Sequence, residues 1–365
     1  MKKIGIVTFF KANNFGVCLQ AFATYEFIRR NGYDVEIINY INPYEHRIFK
    51  WAYKEGGRAI GYISSLAKNI LLGKKHYYKR GFSHVTDHYD LSCGEHKAKD
   101  TMNALEYDVL VAGSDQIWNP QITGGLDEVF LLQFGQAQKR ISLASSLGSQ
   151  ELKDTDKENF TRALKNFSAI SVREEFAKQC LQPLTEKKIK VLMDPTFLFC
   201  RNEWLNMLGK ASKYYNSNEK YILTYFIASN KADYQQRVKA YADKLGLPVW
   251  SIQFSNYHWK VSSKRILGAS IEDFIALVSN AALILTDSFH GTAFSLNLQK
   301  DFVPFRHSAN PLRIIDLLQK LGIGERLDMA ASEYQNVNYS LVNPKLEGLR
   351  EDSKNWVLHA LKDET

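Results

Sequence analysis

The stretch AALILTDSFHGT, residues 281–292, is the clearest indication of the fold in this sequence. Its first five residues are apolar and of strand length, and Gly291 begins a segment with helical spacing. Polar side chains therefore follow a buried strand at the point where a helix starts. Such junctions are typical of α/β proteins, in which parallel strands alternate with helices.

Similar junctions recur along the chain. The first half predicts strands at Lys3–Phe9, Val35–Tyr40, Asp108–Ala112, Arg140–Ala144 and Ala169–Val172, with helices at Gly16–Arg30 and 155–166. The second half predicts strands at 191–193, Tyr221–Ala228, Val249–Gln253 and Ala281–Thr286, with helices at Lys231–Leu245, Ile271–Val278, Gly291–Leu298 and Leu312–Leu321. This alternation indicates mostly parallel sheets covered by helices on both faces.

The length of 365 residues indicates two domains, since single cores rarely grow beyond about 250–300 residues. We predict Rossmann-like domains at 1–185 and 186–345, the first on the acceptor side and the second on the donor or anion side. Residues 346–365 are predicted to form a C-terminal helix that crosses back to the first domain. This α/β organisation resembles the GT-B arrangement, with two domains facing a central cleft at the carboxyl ends of the strands.

One stretch carries the whole net charge of +8. Residues 46–80 contain nine Lys or Arg and one Glu, and their apolar side chains fall on one helical face. We predict a basic amphipathic insertion at 46–90, and one interpretation of residues 46–80 is a helix that lies on an anionic membrane. The alternative is a solvated basic face over an ordinary core helix. No nucleic-acid motif occurs, which disfavours a nucleic-acid partner.

Targeting and metal signals are missing from the sequence. The apolar run after Lys3 is too short for a signal peptide, and no stretch approaches the roughly 20 apolar residues of a membrane span. We therefore expect a cytoplasmic protein, brought to the inner face of the membrane if the basic stretch binds lipid. The four scattered cysteines indicate reduced thiols, and no residue cluster has metal-ligand spacing, so we expect no metal.

The junction at 286–292 predicts an anion site. A helix start offers free N–H groups and the positive end of the helix dipole, and His290 adds a donor that can be charged near neutral pH. The residues predicted to bind substrate here are Asp287, Ser288, Gly291 and Thr292, together with His290. The alternative is that Asp287 or Ser288 only caps the helix and that His290 is a satisfied buried histidine.

Two junctions in the first half are further candidates. Asn14 and Gly16 follow the first strand and suit a phosphate or a sugar hydroxyl, although a plain βα turn favours the same residues. The segment GSDQIWNP, residues 113–120, combines an aromatic side chain with polar groups, as sugar-binding surfaces do. Its candidates are Ser114, Asp115, Gln116, Trp118 and Asn119. A capping residue and a core tryptophan are the alternative.

Cations at other junctions suit an anionic substrate. Arg173 ends the strand at 169–172 and could grip an anion with two nitrogens, and Ser146 ends the preceding strand. Arg313, near the start of a later helix, is a second candidate. An ordinary surface position is the alternative for each arginine.

In this order, these segments resemble the polysaccharide pyruvyl transferase family. The matching segments are 14–16 with 19–21, 113–120, 171–174, 194–195 and 287–291, which together span most of the chain. The resemblance implies transfer of the pyruvyl group of phosphoenolpyruvate to a hexose as a cyclic ketal, with release of phosphate, in capsule or exopolysaccharide synthesis. The acceptor would be a hexose-containing glycan, free or lipid-linked, and no cofactor is implied.

This chemistry assigns roles to the candidates. The phosphate and carboxylate of the donor require cations, for which Arg173, His290 and Arg313 are predicted. An acid must protonate the vinyl carbon and a base must accept a hydroxyl proton. We assign these catalytic roles to His290 and Asp115.

The chain departs from the pattern of better-characterised family members at Ser288, where those members carry an arginine, and its segment Asp-Ser-Phe-His-Gly at 287–291 resembles a variant subgroup. Either Arg306, His307 or Arg313 supplies the cation, or the donor differs. Two other functions stay open. One is a GT-B glycosyltransferase that uses a nucleotide sugar, although the second half shows no clear ribose-binding acid. The other is a non-catalytic component of polysaccharide assembly, against which the presence of both His290 and Asp115 argues.

Overall fold

The computed structural model describes residues 1–44, 73–148, 151–227, 232–255, 259–306 and 312–362. Its residues form two compact units, the first from within 1–49, 85–198 and 346–365 and the second from within 50–84 and 199–345. Each unit contains a parallel sheet, which confirms the predicted α/β fold class. Most of the predicted basic insertion, and His307, lie outside the described residues.

The first unit contains a six-stranded parallel sheet in the order β2-β1-β3-β4-β5-β6. Its strands are β1 (Lys3–Val7), β2 (Asp34–Ile37), β3 (Glu106–Ala112), β4 (Gln136–Ser145), β5 (Ala169–Val172) and β6 (Ile189–Val191). The central strands are apolar and buried along most of their length, as expected for a sheet covered on both faces. The winding reverses between β1 and β3, and open α/β sheets bind ligands at the carboxyl ends beside such a reversal.

The second unit contains a five-stranded parallel sheet in the order β11-β10-β7-β8-β9. Its strands are β7 (Ile222–Tyr225), β8 (Val249–Gln253), β9 (Lys264–Leu267), β10 (Leu283–Thr286) and β11 (Phe302–Pro304). Here the winding reverses between β7 and β10. The stretch 281–292 thus supplies β10, one of the two strands at this reversal.

Helices alternate with these strands in both units. Those of the described residues are α1 (Phe15–Arg30), α2 (Lys74–Phe82), α3 (Pro120–Thr123), α4 (Asp154–Leu164), α5 (Glu175–Leu181), α6 (Arg201–Met207), α7 (Ala232–Leu245), α8 (Ile271–Asn280), α9 (Phe289–Asn297), α10 (Leu312–Leu321) and α11 (Tyr339–Leu361). Local signals fix several ends, such as the reciprocal Ser270–Asp273 capping box that begins α8. No helix in the described ranges is long and apolar enough to cross a membrane.

The predicted domain boundary at 185/186 differs from the observed one. β6 pairs with β5, with Ile189 opposite Ile170, and the first unit continues to Leu198. The strand predicted at 191–193 therefore belongs to the first sheet, because a three-residue strand carries too little pattern to assign it to either block. The C-terminal part of α11 also packs in the first unit, where Arg350 Nε donates to the Phe197 carbonyl at 2.7 Å.

The described end of the basic insertion, α2, also differs from its predicted place, because it belongs to the second unit. Tyr78 stacks on Phe254 with ring centroids 4.9 Å apart, and Phe82 stacks on the same ring at 5.2 Å. Gly81 is buried so closely against Ala269 that a Cβ would lie 2.5 Å from its carbonyl oxygen. Aromatic side chains thus anchor one face of α2, while Lys75, Lys79 and Arg80 are exposed.

Candidate functional site

The carboxyl ends of β3 to β6 bring one arginine and three carboxylates together in the first unit. Arg173, directly after β5, places Nη1 2.7 Å from Asp194 Oδ2 and Nε 3.0 Å from Glu174 Oε1. Its Nη2 lies 3.7 Å from Asp115 Oδ1, after β3. Parallel strands end at the same edge of a sheet, which explains why residues so distant in sequence meet.

Arg173 is completely enclosed by this cluster, with 4% of its surface exposed. Burial alone lowers the pKa of its guanidinium, but the charges of Glu174, Asp194 and Asp115 outweigh this and raise the pKa. The predicted role of Arg173 as an anion clamp stays a prediction, and the structure shows it in contact with carboxylates of the protein. Its charge is already compensated by three carboxylates, so it positions these groups.

Glu174 is fixed through one of its two carboxylate oxygens. Ser146 Oγ donates to Oε1 at 2.6 Å, and Arg173 Nε donates to the same oxygen at 3.0 Å. The Ser146 hydroxyl also accepts from the Gly148 N–H at 3.0 Å, so the loop after β4 is tied to the same carboxylate. Ser146, a predicted site residue, thus lies in the cluster.

Asp115 stands in a left-handed backbone conformation, with φ of 68°. Asp and Asn tolerate this region better than other non-glycine residues. The carbonyl of Asp115 accepts from the Ser146 N–H at 2.9 Å, which joins the end of β3 to the end of β4. This geometry turns the Asp115 side chain toward Arg173, as the 3.7 Å separation shows.

A serine pair adjusts the register at this edge. Ser171 Oγ donates to the Ser142 carbonyl at 2.6 Å, and Ser142 Oγ donates to the Ser171 carbonyl at 3.0 Å. The pairing of β4 with β5 shifts between Ser142 and Ser145. The shift is a β-bulge, a feature that re-aims side chains at the ends of strands.

Buried polar contacts also link β3 to β1 at the reversal of winding. Ser114 Oγ donates to the Ala144 carbonyl at 2.9 Å and lies 3.4 Å from Asp194 Oδ2. Thr8 Oγ1 donates to the Ser114 carbonyl at 3.0 Å, and the Gln20 amide donates to Thr8 Oγ1 at 3.0 Å. Ser114, which follows β3, is therefore hydrogen-bonded both to β4 and to Thr8 after β1.

Three candidates of the segment 113–120 are structural. Trp118 is fully buried, donates from Nε1 to the Phe130 carbonyl at 3.0 Å and packs edge-on against Phe160. Asn119 caps α3 through the Gln121 N–H, and its amide donates to Gln116 Oε1 at 2.8 Å. The ring of Trp118 lies in the apolar core, and its role in sugar binding stays a prediction.

The candidates after β1 also have a structural role. Asn14 is the N-cap of α1, and its Oδ1 accepts from the Gly16 N–H at 2.9 Å. The side chain therefore satisfies one of the free N–H groups that would otherwise suit a ligand. These contacts agree with a plain βα turn, and ligand binding by Asn14 and Gly16 stays a prediction.

In the second unit, the ends of β7 and β10 are joined at the reversal of winding. Asp287 Oδ1 accepts from the Ile227 N–H at 2.6 Å, and Asp287 is 2% exposed. Thr286 Oγ1 donates to the Tyr225 carbonyl at 2.6 Å and accepts from the Ser288 N–H at 3.1 Å. Asp287 therefore orders the neighbouring strand end.

Ser288 and Gly291 shape the start of α9. Ser288 is the N-cap, and its Oγ accepts from the Gly291 N–H at 3.2 Å. A Cβ on Gly291 would lie 3.0 Å from Thr286 Cβ and closer still to its Oγ1, so only glycine fits there. The Thr292 hydroxyl donates back to the Ser288 carbonyl at 3.1 Å. His290 follows the cap and is 6% exposed.

Arg313 is the predicted cation that the structure places near α9. Its guanidinium carbon lies 5.6 Å from the centroid of the Phe289 ring, within the range of a cation–π contact. The same ring lies edge-on to His290, with centroids 5.0 Å apart. By contrast, Arg306 is exposed and directs Nε to Asp328 Oδ2 at 3.3 Å.

The predicted residues thus form two groups. In the first unit the structure joins Asp115, Ser146 and Arg173 with Glu174 and Asp194, two residues that the sequence analysis did not assign. Glu174 is adjacent to Arg173, Asp194 follows the strand predicted at 191–193, and both lie in segments that resemble the family, 171–174 and 194–195. In the second unit it joins the residues of 287–292 with Arg313. Among the described residues, no three His, Cys, Asp or Glu side chains are arranged to hold a metal ion.

The fold is similar to solved structures of sugar-processing proteins. UDP-N-acetylglucosamine 2-epimerase from Rickettsia bellii matches with a TM-score of 0.50 and 9% identity, over 99% of this chain and 96% of that chain. The UDP-N-acetylglucosamine 2-epimerase from Neisseria meningitidis matches with a TM-score of 0.49 and 12% identity, over 99% of each chain. A heptosyltransferase from E. coli matches with a TM-score of 0.38 and 10% identity, over 98% of this chain and 99% of that chain. The Rickettsia bellii structure has a GT-B-type fold, and this similarity confirms the predicted GT-B-like fold class and shows the fold alone.

Family membership follows from the sequence. No curated protein matches the chain significantly. The family described as polysaccharide pyruvyl transferase, however, matches residues 14–309. That range contains both groups of site residues except Arg313. The chain belongs to the polysaccharide pyruvyl transferase family.

Proposed function

We propose that this protein transfers the pyruvyl group of phosphoenolpyruvate to a hexose of a cell-surface polysaccharide or its lipid-linked precursor, forming a cyclic ketal and releasing phosphate. Family membership supports the reaction class. The observation that carries the proposal within the chain is the start of α9, where Ser288, the buried His290 and Arg313 gather around Phe289. These groups suit an anionic donor.

The donor brings a phosphate and a carboxylate, and both need positive partners. The start of α9 supplies the positive end of a helix dipole, and Arg313 supplies a permanent charge. Because Ser288 stands where family members carry an arginine, Arg313 is the cation that takes its place. Arg306 is less suited, since Asp328 already engages its backbone N–H and its side chain.

The reaction needs proton transfer at two places. His290 protonates the vinyl carbon of phosphoenolpyruvate, which becomes the methyl group of the ketal and leaves an oxocarbenium-like carbon. A sugar hydroxyl attacks this carbon, and Asp115 accepts its proton. A second hydroxyl then displaces phosphate. Arg173 holds the carboxylate cluster of the first unit in position.

The test is a paired incubation of the purified protein with phosphoenolpyruvate or with a set of nucleotide sugars, each with methyl hexopyranosides or a lipid-linked glycan. We expect phosphate release only with phosphoenolpyruvate and acceptor together, and an acceptor that gains a pyruvate ketal by mass spectrometry. Turnover of a nucleotide sugar, without phosphate release from phosphoenolpyruvate, would instead identify a glycosyltransferase. Inactivity with every donor would favour a non-catalytic assembly component.

We also propose that the basic stretch holds the protein on the cytoplasmic face of an anionic membrane, where a lipid-linked acceptor would lie. The supporting observation is α2, which contains no acid and exposes Lys75, Lys79 and Arg80, while Tyr78 and Phe82 stack on Phe254. Co-sedimentation with phosphatidylglycerol vesicles, and not with phosphatidylcholine vesicles, is expected. A triple K75Q/K79Q/R80Q variant that binds anionic vesicles as well as the wild type would contradict this role.

A further inference from the structure

The side chain of Glu174 has one carboxylate oxygen that its surroundings leave unused. Glu174 is 5% exposed, and its Oε1 receives both hydrogen bonds, from Ser146 and from Arg173. Within the described residues, no donor reaches its buried Oε2. A carboxylate oxygen that is removed from water without a donor loses the hydrogen bonds that water would give it, so such atoms need an explanation.

The local structure does not use Glu174 as a helix cap. It is the N-cap residue of α5 with extended backbone angles, but its side chain makes no capping hydrogen bond. The side chain instead accepts hydrogen bonds from Arg173 and Ser146. The position of Oε2 therefore depends on the site cluster, and a hydroxyl group of a ligand is the kind of donor that would satisfy it.

A second carboxylate lies on the same guanidinium. Asp115 Oδ1 is 3.7 Å from Arg173 Nη2, while Glu174 Oε1 is 3.0 Å from Arg173 Nε. Arg173 thus holds two carboxylates from different strand ends, and Asp194 anchors its remaining edge at 2.7 Å. A cyclic ketal has two new C–O bonds, and each of the two hydroxyls that form them must lose a proton.

We propose that Glu174 is a second catalytic base, which accepts the proton of one acceptor hydroxyl at Oε2 while Asp115 serves the other. This inference rests on the proposed ketal-forming function. Ser146 and Arg173 are positioning residues that fix Oε1 and thereby aim Oε2. The acceptor is accordingly a hexose that presents two neighbouring hydroxyls to the carboxylate pair.

The proposed steps balance. A proton from His290 adds to the vinyl carbon, the first hydroxyl oxygen bonds to the adjacent carbon, and its proton passes to Asp115. The second hydroxyl oxygen then bonds to the same carbon and its proton passes to Glu174, as the bond between that carbon and the phosphate oxygen breaks and its electron pair leaves with phosphate. Two hydroxyl protons are lost, one proton enters the methyl group and one is taken up by phosphate through solvent.

Three variants separate a base from a structural hydrogen-bond acceptor. Glu174→Gln keeps the oxygen that Ser146 and Arg173 contact but replaces Oε2 by a donor, whereas Glu174→Asp keeps a carboxylate in a poorer position. Glu175→Gln, at the exposed neighbouring residue, is the matched control. The kcat with methyl hexopyranosides and phosphoenolpyruvate, and the Kd of phosphoenolpyruvate by calorimetry, would be measured for each, with circular dichroism to establish folding.

A base role predicts that Glu174→Gln lowers kcat by about 100-fold or more, with a donor Kd within about twofold of wild type. Glu174→Asp should retain more activity than Glu174→Gln, and Glu175→Gln should match the wild type. A Gln variant as active as the Asp variant would overturn the inference while leaving the proposed function intact. If the wild type forms no ketal with any hexopyranoside, the proposed function fails and this role fails with it.

Discussion

Arg173 Nη1 lies 2.7 Å from Asp194 Oδ2, and both side chains are almost completely buried. Removal of one partner from a buried ion cluster leaves uncompensated charge, which costs about 3–5 kcal/mol. We therefore expect Arg173→Met to lower the free energy of unfolding by about this amount in urea denaturation. Arg173→Lys should rescue little, because an ammonium group cannot reach three carboxylates in the fork geometry of a guanidinium.

The control for Arg173 is Arg29→Met in the same unit. Arg29 pairs with Glu26 at 2.8 Å, but its side chain is 52% exposed. Exposed pairs contribute about 0–1 kcal/mol, so this variant should be nearly neutral. A loss of stability at Arg173 no larger than at Arg29 would contradict the organising role of the cluster.

Gly291 is predicted to tolerate no side chain. Gly291→Ala would press a Cβ into Thr286, whose hydroxyl ties β10 to β7, and overpacking of this kind costs about 1–3 kcal/mol. We expect a lower midpoint of urea unfolding and weaker binding of phosphoenolpyruvate in calorimetry. Gly348→Ala, at an exposed position of α11 with no atom near the new Cβ, should instead stabilise by about 0.5–1 kcal/mol. Equal changes in stability for the two substitutions would contradict the close approach of Gly291 to Thr286.

Trp118 is predicted to affect stability and not recognition of the acceptor. Trp118→Phe removes the donor to the Phe130 carbonyl and leaves a buried acceptor unsatisfied, at a cost of about 1–3 kcal/mol. The KM for methyl hexopyranosides should stay within about twofold of wild type under conditions where the variant is folded. A large rise in this KM, with little change in thermal stability, would restore the sugar-binding interpretation.

Arg313 is predicted to bind the donor. Loss of a charge-assisted hydrogen bond costs about 1.5–3 kcal/mol, so Arg313→Ala should raise the Kd of phosphoenolpyruvate by roughly 10- to 100-fold. Arg306→Ala is the comparison, because Arg306 is exposed and engaged with Asp328. Calorimetric titration of both variants decides between them, and a stronger effect at Arg306 would assign the cation to that residue.

Much of the fold could be predicted because its strands are buried on both faces. Continuous apolar runs such as Leu283–Thr286, each followed by polar residues and a helix, indicate parallel sheets without ambiguity. β9 and β11 escaped prediction, since β9 begins with Lys264 and Arg265 and β11 has only three residues. β6 was placed in the second domain because it too has only three residues.

The site was harder to predict than the fold. Sequence position correctly marked the strand ends that carry Asp115, Arg173 and His290, but it could not show which neighbours meet there. Asp194 reaches Arg173 only because β6 pairs with β5. Trp118 lies in the core because its ring packs against Phe160 of α4. Partner choice of this kind depends on three-dimensional packing, which local pattern does not encode.

The most direct test of the proposed reaction is carbon-13 NMR with phosphoenolpyruvate labelled at C2, incubated with the protein and an accepted hexopyranoside or lipid-linked glycan. We predict that the label moves into a quaternary ketal carbon bonded to two sugar oxygens, with one equivalent of phosphate released. Label that stays in phosphoenolpyruvate, or that appears only as free pyruvate, would contradict it.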